Sequence, residues 1–227
     1  MRIIINCYTR NMTSSDTRLL THSLYFSYGN REILSDVSLS IRAGEMVAIT
    51  GENGSGKSTL LELMAGTMTP DRGLVERSCP VALVVQRPAV PAELPLTAGD
   101  VVAMGTWRSK ITRKQRKQHV SRALARVELT GFEARNFNEL SGGQRQRVLV
   151  TQGLVQNTGV LLLDEPLASM DSTSRTLIHE ILRSEVRRGL AVMLVTHDED
   201  STMLADRSVK LQHHRTSCPE LQLATES

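Results

Sequence analysis

Apolar positions fall in short blocks that either alternate with polar ones or run unbroken, and turn residues separate the blocks. Residues 24–28, 37–41 and 46–50 read as three strands, divided by Gly29-Asn30 and Ala43-Gly44. The third strand runs straight into a glycine-rich loop, after which residues 57–65 read as a helix stopped by Gly66. A connection rich in Pro, Asp and Gly leads to an apolar strand at 81–85. The texture then changes. Between 87 and about 156 little strand signal remains: Thr97 can cap a short helix through Met104, a basic helix spans about 112–127, and Ser141 begins another. Strand-like blocks resume at 160–163, 191–195 and 209–211, with a helix at about 172–188 between the first two. The pattern predicts an α/β frame carrying a helical insert, and the unbroken apolar strands point to a parallel sheet buried on both faces. Residues 1–18 are polar and aperiodic and are expected to be a loose leader, in which Met12 is an alternative start. The polar tail at 214–227 is expected to fray, leaving one domain at 19–213.

The chain has 227 residues, 40% hydrophobic and 22% charged, which suits a folded globular unit rather than a disordered segment. Its net charge of +3 is too mild for a dedicated nucleic-acid binder, and an aromatic content of 3% leaves few platforms for stacking bases. No nucleic-acid partner is expected. Cys7, Cys79 and Cys218 are far apart and form no CxxC pair, as suits a reduced, cytoplasmic compartment. No apolar run reaches the about 18 residues of a membrane span, so a membrane role requires a partner.

Gly51-Glu52-Asn53-Gly54-Ser55-Gly56-Lys57-Ser58-Thr59 matches the phosphate-loop pattern, between a strand and a helix as that pattern requires. Glycines let successive backbone N–H groups face a β-phosphate, Lys57 supplies a point charge, and the Ser58 hydroxyl can ligate Mg²⁺. A plain glycine-rich turn has no need of Lys57-Ser58 in register. The apolar block 160–163 stops abruptly at Asp164-Glu165-Pro166, and the carboxyl ends of buried parallel strands are where ligands bind. Asp164 is placed to hold Mg²⁺ and Glu165 to polarise an attacking water. Leu140-Ser141-Gly142-Gly143-Gln144 opens a further helix with a second anion site, which a chain already holding a phosphate loop does not need for its own nucleotide.

This LSGGQ run followed by a basic helix resembles the signature of ABC ATPases, and the resemblance covers residues 24–211. It implies a phosphate-loop fold with a mainly parallel central sheet, an antiparallel β subdomain and a helical subdomain at about 87–156. It implies ATP and Mg²⁺ as ligands. It implies too that Ser141, Gly142, Gly143 and Gln144 of one subunit close over the γ-phosphate held by another, in a head-to-tail dimer. Tyr28 looks like the aromatic residue that stacks on adenine, although a tyrosine on an edge strand is a rival reading. Gln86 resembles the glutamine that touches Mg²⁺, and His197 the histidine that contacts the γ-phosphate beside Glu165. Ala168-Ser169-Met170-Asp171 departs from the family pattern at its second and third positions but keeps Asp171.

The resemblance further implies a membrane permease docked near Gln86, a place on the inner face of the membrane, and, for an importer, an extracytoplasmic solute-binding protein. Gln86-Arg87-Pro88, Pro95-Leu96-Thr97 and the run Asp100 to Gly105 look most like ATPases of zinc, manganese and iron-chelate importers. Alternatives are an exporter ATPase, a soluble ABC ATPase, or another phosphate-loop enzyme such as a kinase. Residues 108–117 hold six basic side chains, read first as a solvated helix face and otherwise as a membrane- or partner-facing patch. His213-His214 with Cys218 is read as a polar tail rather than a metal site.

Overall fold

A computed structural model describes residues 16–86, 94–168, 170–197 and 199–212. Most of the expected leader, residues 87–93, Ser169, Asp198 and the tail with His213, His214 and Cys218 lie outside the described residues. Strands β1 (Thr17–Tyr28) and β2 (Arg31–Arg42) form a hairpin, and β3 (Met46–Gly51) leads into helix α1 (Lys57–Ala65). Strands β4 (Arg72–Arg77) and β5 (Val81–Val84) follow, then helices α2 (Ala98–Met104), α3 (Arg113–Arg126) and α4 (Gly142–Leu154). The chain continues through β6 (Val160–Asp164), α5 (Ser172–Arg187), β7 (Ala191–Val195), α6 (Glu199–Leu204) and β8 (Arg207–Leu211). Among the described residues no helix is long and apolar enough to cross a membrane.

Two sheets result. One is antiparallel in the order β2-β1-β4, the other parallel in the order β5-β6-β7-β3-β8. The two-residue period explains why the apolar parallel strands bury on both faces. Val160 and Leu162 pack with α1 and the hairpin, whereas Leu161 and Leu163 pack with the core that also holds side chains of α2 to α5. The helical insert sits close: a methyl group on Gly105 would come within 2.3 Å of the Gln152 carbonyl, and one on Gly153 within 2.5 Å of Val84 Cγ2.

Three features depart from the sequence expectation. Strand β1 begins at Thr17, inside the stretch expected as leader. Strand β4 lies in what reads as a connection; Arg-Gly-Leu-Val-Glu-Arg is mostly exposed, and its extended form follows from pairing with β1. Helix α6 carries too little apolar period to stand out.

Candidate active site

The parallel sheet gathers the chemistry at the carboxyl ends of four neighbouring strands. Gln86 follows β5, Asp164 and Glu165 end β6, His197 follows β7, and the glycine loop follows β3. Gly51 has φ +149 and Gly56 φ +91; a side chain on the first would meet the Leu211 carbonyl at 2.4 Å, and one on the second would meet Leu34 Cδ2 at 2.8 Å. Glycine is therefore required sterically as well as conformationally at both ends of the loop. The β1–β2 hairpin presses on the loop through Ile33 and Leu34. Tyr28, at the end of the same hairpin, is 53% exposed, packs edge-on against Phe26 with centroids 5.0 Å apart, and directs its hydroxyl to Met68 Sδ at 3.6 Å.

Lys57 is buried, and its Nζ donates to the carbonyls of Gly51 at 2.9 Å and Glu52 at 2.8 Å. An ammonium has three donors, so these bonds leave one to offer. Burial lowers its pKa, opposed by the nearby carboxylates of Glu165 and Asp164. Burial also raises the pKa of Asp164; a hydrogen bond from Ser58 pulls it down, Glu165 pushes it up, and Lys57 pulls it down. Ser55 Oγ is buried within the loop without a hydrogen-bond partner in the described structure. An incompletely satisfied ammonium, an orphaned hydroxyl and the start of α1 fit a phosphate. The adjoining oxygens of Ser58, Asp164 and Gln86 form a hard donor set that fits a magnesium ion.

Glu165 is held between two strand ends. Gln86 Nε2 donates to its Oε2 at 2.6 Å, and His197 Nε2 lies 3.3 Å from its Oε1. The backbone of Glu165 is left-handed, φ +45, and its N–H donates to the Val195 carbonyl at 3.1 Å. That conformation costs a non-glycine residue about 1–3 kcal/mol and aims the carboxylate across β5 and β7. A hollow of about 280 Å³ beside it is lined by Glu165, Leu167, Ala168, Arg175, Thr196 and His197. Arg175, four positions after Asp171, was not singled out in the sequence; no local pattern distinguishes it, and only the packing of α5 brings it to this hollow.

Asp171 caps α5, accepting from the Ser174 N–H at 2.8 Å and the Ser174 hydroxyl at 3.1 Å, bonds that hold its carboxyl below the usual range. Ser141 caps α4 in a reciprocal box: its hydroxyl accepts from the Gln144 N–H at 3.2 Å, and Gln144 Oε1 accepts from the Ser141 N–H at 3.1 Å. Among the described residues no hydrogen bond or ion pair joins Ser141 to Gln144 with the glycine loop.

The sequence profile described as "ABC transporter" matches residues 34–168, and this span runs from the hairpin through the loop and signature to Ala168. The chain belongs to the ABC transporter family. As an ABC ATP-binding subunit it is an ATPase. It is 36% identical to the hemin import ATP-binding protein HmuV of Thermobifida fusca, over 83% of this chain and 71% of that relative. It is 37% identical to the manganese transport ATP-binding protein MntB of Listeria monocytogenes, over 77% of this chain and 78% of the relative. The aliphatic sulfonates import ATP-binding protein SsuB of Mycobacterium avium is 40% identical over 83% of this chain and 75% of its own length. A solved ABC cassette, dimeric and bound to ADP and Pi in a post-hydrolysis state, superposes with a TM-score of 0.78 at 26% identity, covering 87% of this chain and 97% of the other.

Proposed function

We infer that this ABC ATPase powers import of a solute across a membrane by closing and opening a head-to-tail pair of cassettes. The observation that carries the reading is the Glu165 carboxylate fixed between Gln86 and His197 beside Lys57 and Asp164. ATP phosphates lie along residues Gly51 to Thr59, with Lys57 turning a donor from the loop carbonyls toward them and Tyr28 stacking on the adenine. Ser58, Asp164 and Gln86 would hold Mg²⁺. When bound there, the ion would supply positive charge to the phosphate oxygens. Glu165 polarises the attacking water, and His197 steadies that carboxylate and meets the γ-phosphate. Ser141, Gly142, Gly143 and Gln144 act on the nucleotide of a second subunit. The bound nucleotide favours the closed pair and hydrolysis removes that preference, so a membrane permease docked near Gln86 is driven between two states.

The cargo we infer is a metal ion such as manganese or zinc, or a metal chelate, delivered by an extracytoplasmic binding protein. The motifs around Gln86 and Asp100, and the hemin and manganese relatives, support this reading. The sulfonate relative supports a second reading, import of an organic anion. Uptake distinguishes them. A deletion strain carrying the wild-type chain is expected to regain manganese, zinc or hemin uptake, and one carrying Glu165→Gln is not. Restored growth on an aliphatic sulfonate with unchanged metal uptake would establish the second reading instead.

A further inference from the structure

A cleft of about 520 Å³ opens between α3, the C-terminal end of α4 and the C-terminal part of α5, within the range of about 300–1,000 Å³ usual for small-molecule sites. It lies toward the amino-terminal ends of the parallel strands, opposite the end that carries Glu165, because α4 and α5 end just before β6 and β7 begin. A hollow of about 380 Å³ continues it, sharing Leu154, Asn157, Glu185 and Arg188.

The lining has two chemistries. Ile111, Ala123 and Leu154 contribute a half-buried apolar floor, backed by the buried Val127 and Ile181. His119, Arg122 and Arg126 share one face of α3 by their spacing of three and four, and Arg188 faces the cleft from the end of α5. Glu185 is the acid in the lining, and it is already engaged by Arg126 at 2.5 Å and Arg188 at 3.3 Å. Among the described residues Arg122 forms no ion pair or hydrogen bond. The charge is concentrated here in the sequence as well: the chain's net +3 divides into +8 over residues 108–126, which contain no Asp or Glu, and −5 over the remainder.

The geometry points to a binding site for a small amphipathic organic anion, whose charged group meets Arg122 and Arg188 while its apolar body covers Ile111, Ala123 and Leu154. A simple inorganic anion leaves the half-exposed apolar floor uncovered, and a neutral apolar molecule makes no use of the Arg122 and Arg188 charges. The occupant would bridge the helical insert and the α/β frame across the gap that the Arg126–Glu185 pair now spans. The inference does not rest on the identity of the cargo or on transport.

The probe is 8-anilinonaphthalene-1-sulfonate, titrated into full-length protein whose nucleotide site is saturated with ADP. One saturable site per chain is expected, weakened about tenfold or more by Arg122→Glu and unchanged by Lys114→Glu on the exposed side of α3. Decyl phosphate should displace the probe at concentrations where inorganic phosphate does not. Unchanged ADP affinity in Arg122→Glu serves as the folding control, and Ala123→Phe, which fills the cleft floor, is a second variant expected to lose the probe. Equal losses from Arg122→Glu and Lys114→Glu, or displacement by inorganic phosphate as readily as by decyl phosphate, would show diffuse attraction to a basic surface and overturn the site. Retention of the probe by both Arg122→Glu and Ala123→Phe would overturn it as well.

Discussion

Burial raises the pKa of Asp164 and lowers that of Lys57, so the nucleotide-free protein holds both charges against the preference of their surroundings. For Asp164 the folded value lies above the ordinary 3.8, so the folded state binds more protons than the unfolded one between the two values. Stability therefore falls as pH rises through that window, and the penalty is complete above it. Asp164→Asn is expected to raise the melting temperature of the nucleotide-free protein at neutral pH, with the gain shrinking as pH falls toward 3.8, while magnesium-dependent hydrolysis is lost. Thermal melts across that range check it, and a gain independent of pH would count against the charge explanation. Glu165→Gln keeps the loop and the oxygens of Ser58, Asp164 and Gln86 but removes the proposed base. ATP binding should persist while turnover drops roughly 10²–10⁴-fold, read by nucleotide titration and phosphate release. Near-normal turnover would remove Glu165 from the role proposed for it. Lys57, Asp164 and Glu165 were legible because a loop and a strand end each carry a local pattern. Arg175 and the unpartnered Ser55 hydroxyl were not, since both properties come from residues distant in the chain.

Elements were legible where period and caps coincide. Thr97, Thr112 and Ser141 each form a capping box in the positions that the sequence marks as helix starts. Ser141 has a cap to separate from the proposed action on another chain's nucleotide. Ser141→Ala should cost about 1 kcal/mol through loss of the cap, seen in denaturant melts of the monomer. Ser141→Arg should abolish hydrolysis while leaving monomer ATP affinity nearly intact, because in the proposed pair the site it obstructs serves another chain's nucleotide. Full hydrolysis by a Ser141→Arg protein would contradict the shared site. The contact between α2 and α4 rests on Gly105, where a methyl group collides with the Gln152 carbonyl. Gly105→Ala is expected to destabilise by about 1–3 kcal/mol, measured as a shift of the denaturant midpoint, since backbone yields less readily than a side chain. Strand β4 escaped the sequence pattern for the opposite reason: it buries little, and its partner β1 supplies the order.

At the scale of the molecule, the signature at Ser141 to Gln144 makes no link with the loop residues of its own chain among the described residues. Glu165→Gln with ATP should therefore accumulate a closed dimer in gel filtration, and adding Ser141→Arg should return it to monomer. A monomeric Glu165→Gln protein at saturating ATP would count against the sandwich. The sequence alone determined the α/β class, the loop, the Asp164-Glu165 strand end and the signature, because each is a local pattern of backbone freedom, charge and apolar period. Tertiary structure decided what surrounds them. The parallel order β5-β6-β7-β3-β8 brings Gln86 and His197, 111 positions apart, onto one carboxylate, and the placing of α3 across a gap from the end of α5 converts a basic helix face into one wall of a cleft. Neither follows from local pattern, because pairing between distant strands and helices depends on which buried faces fit together.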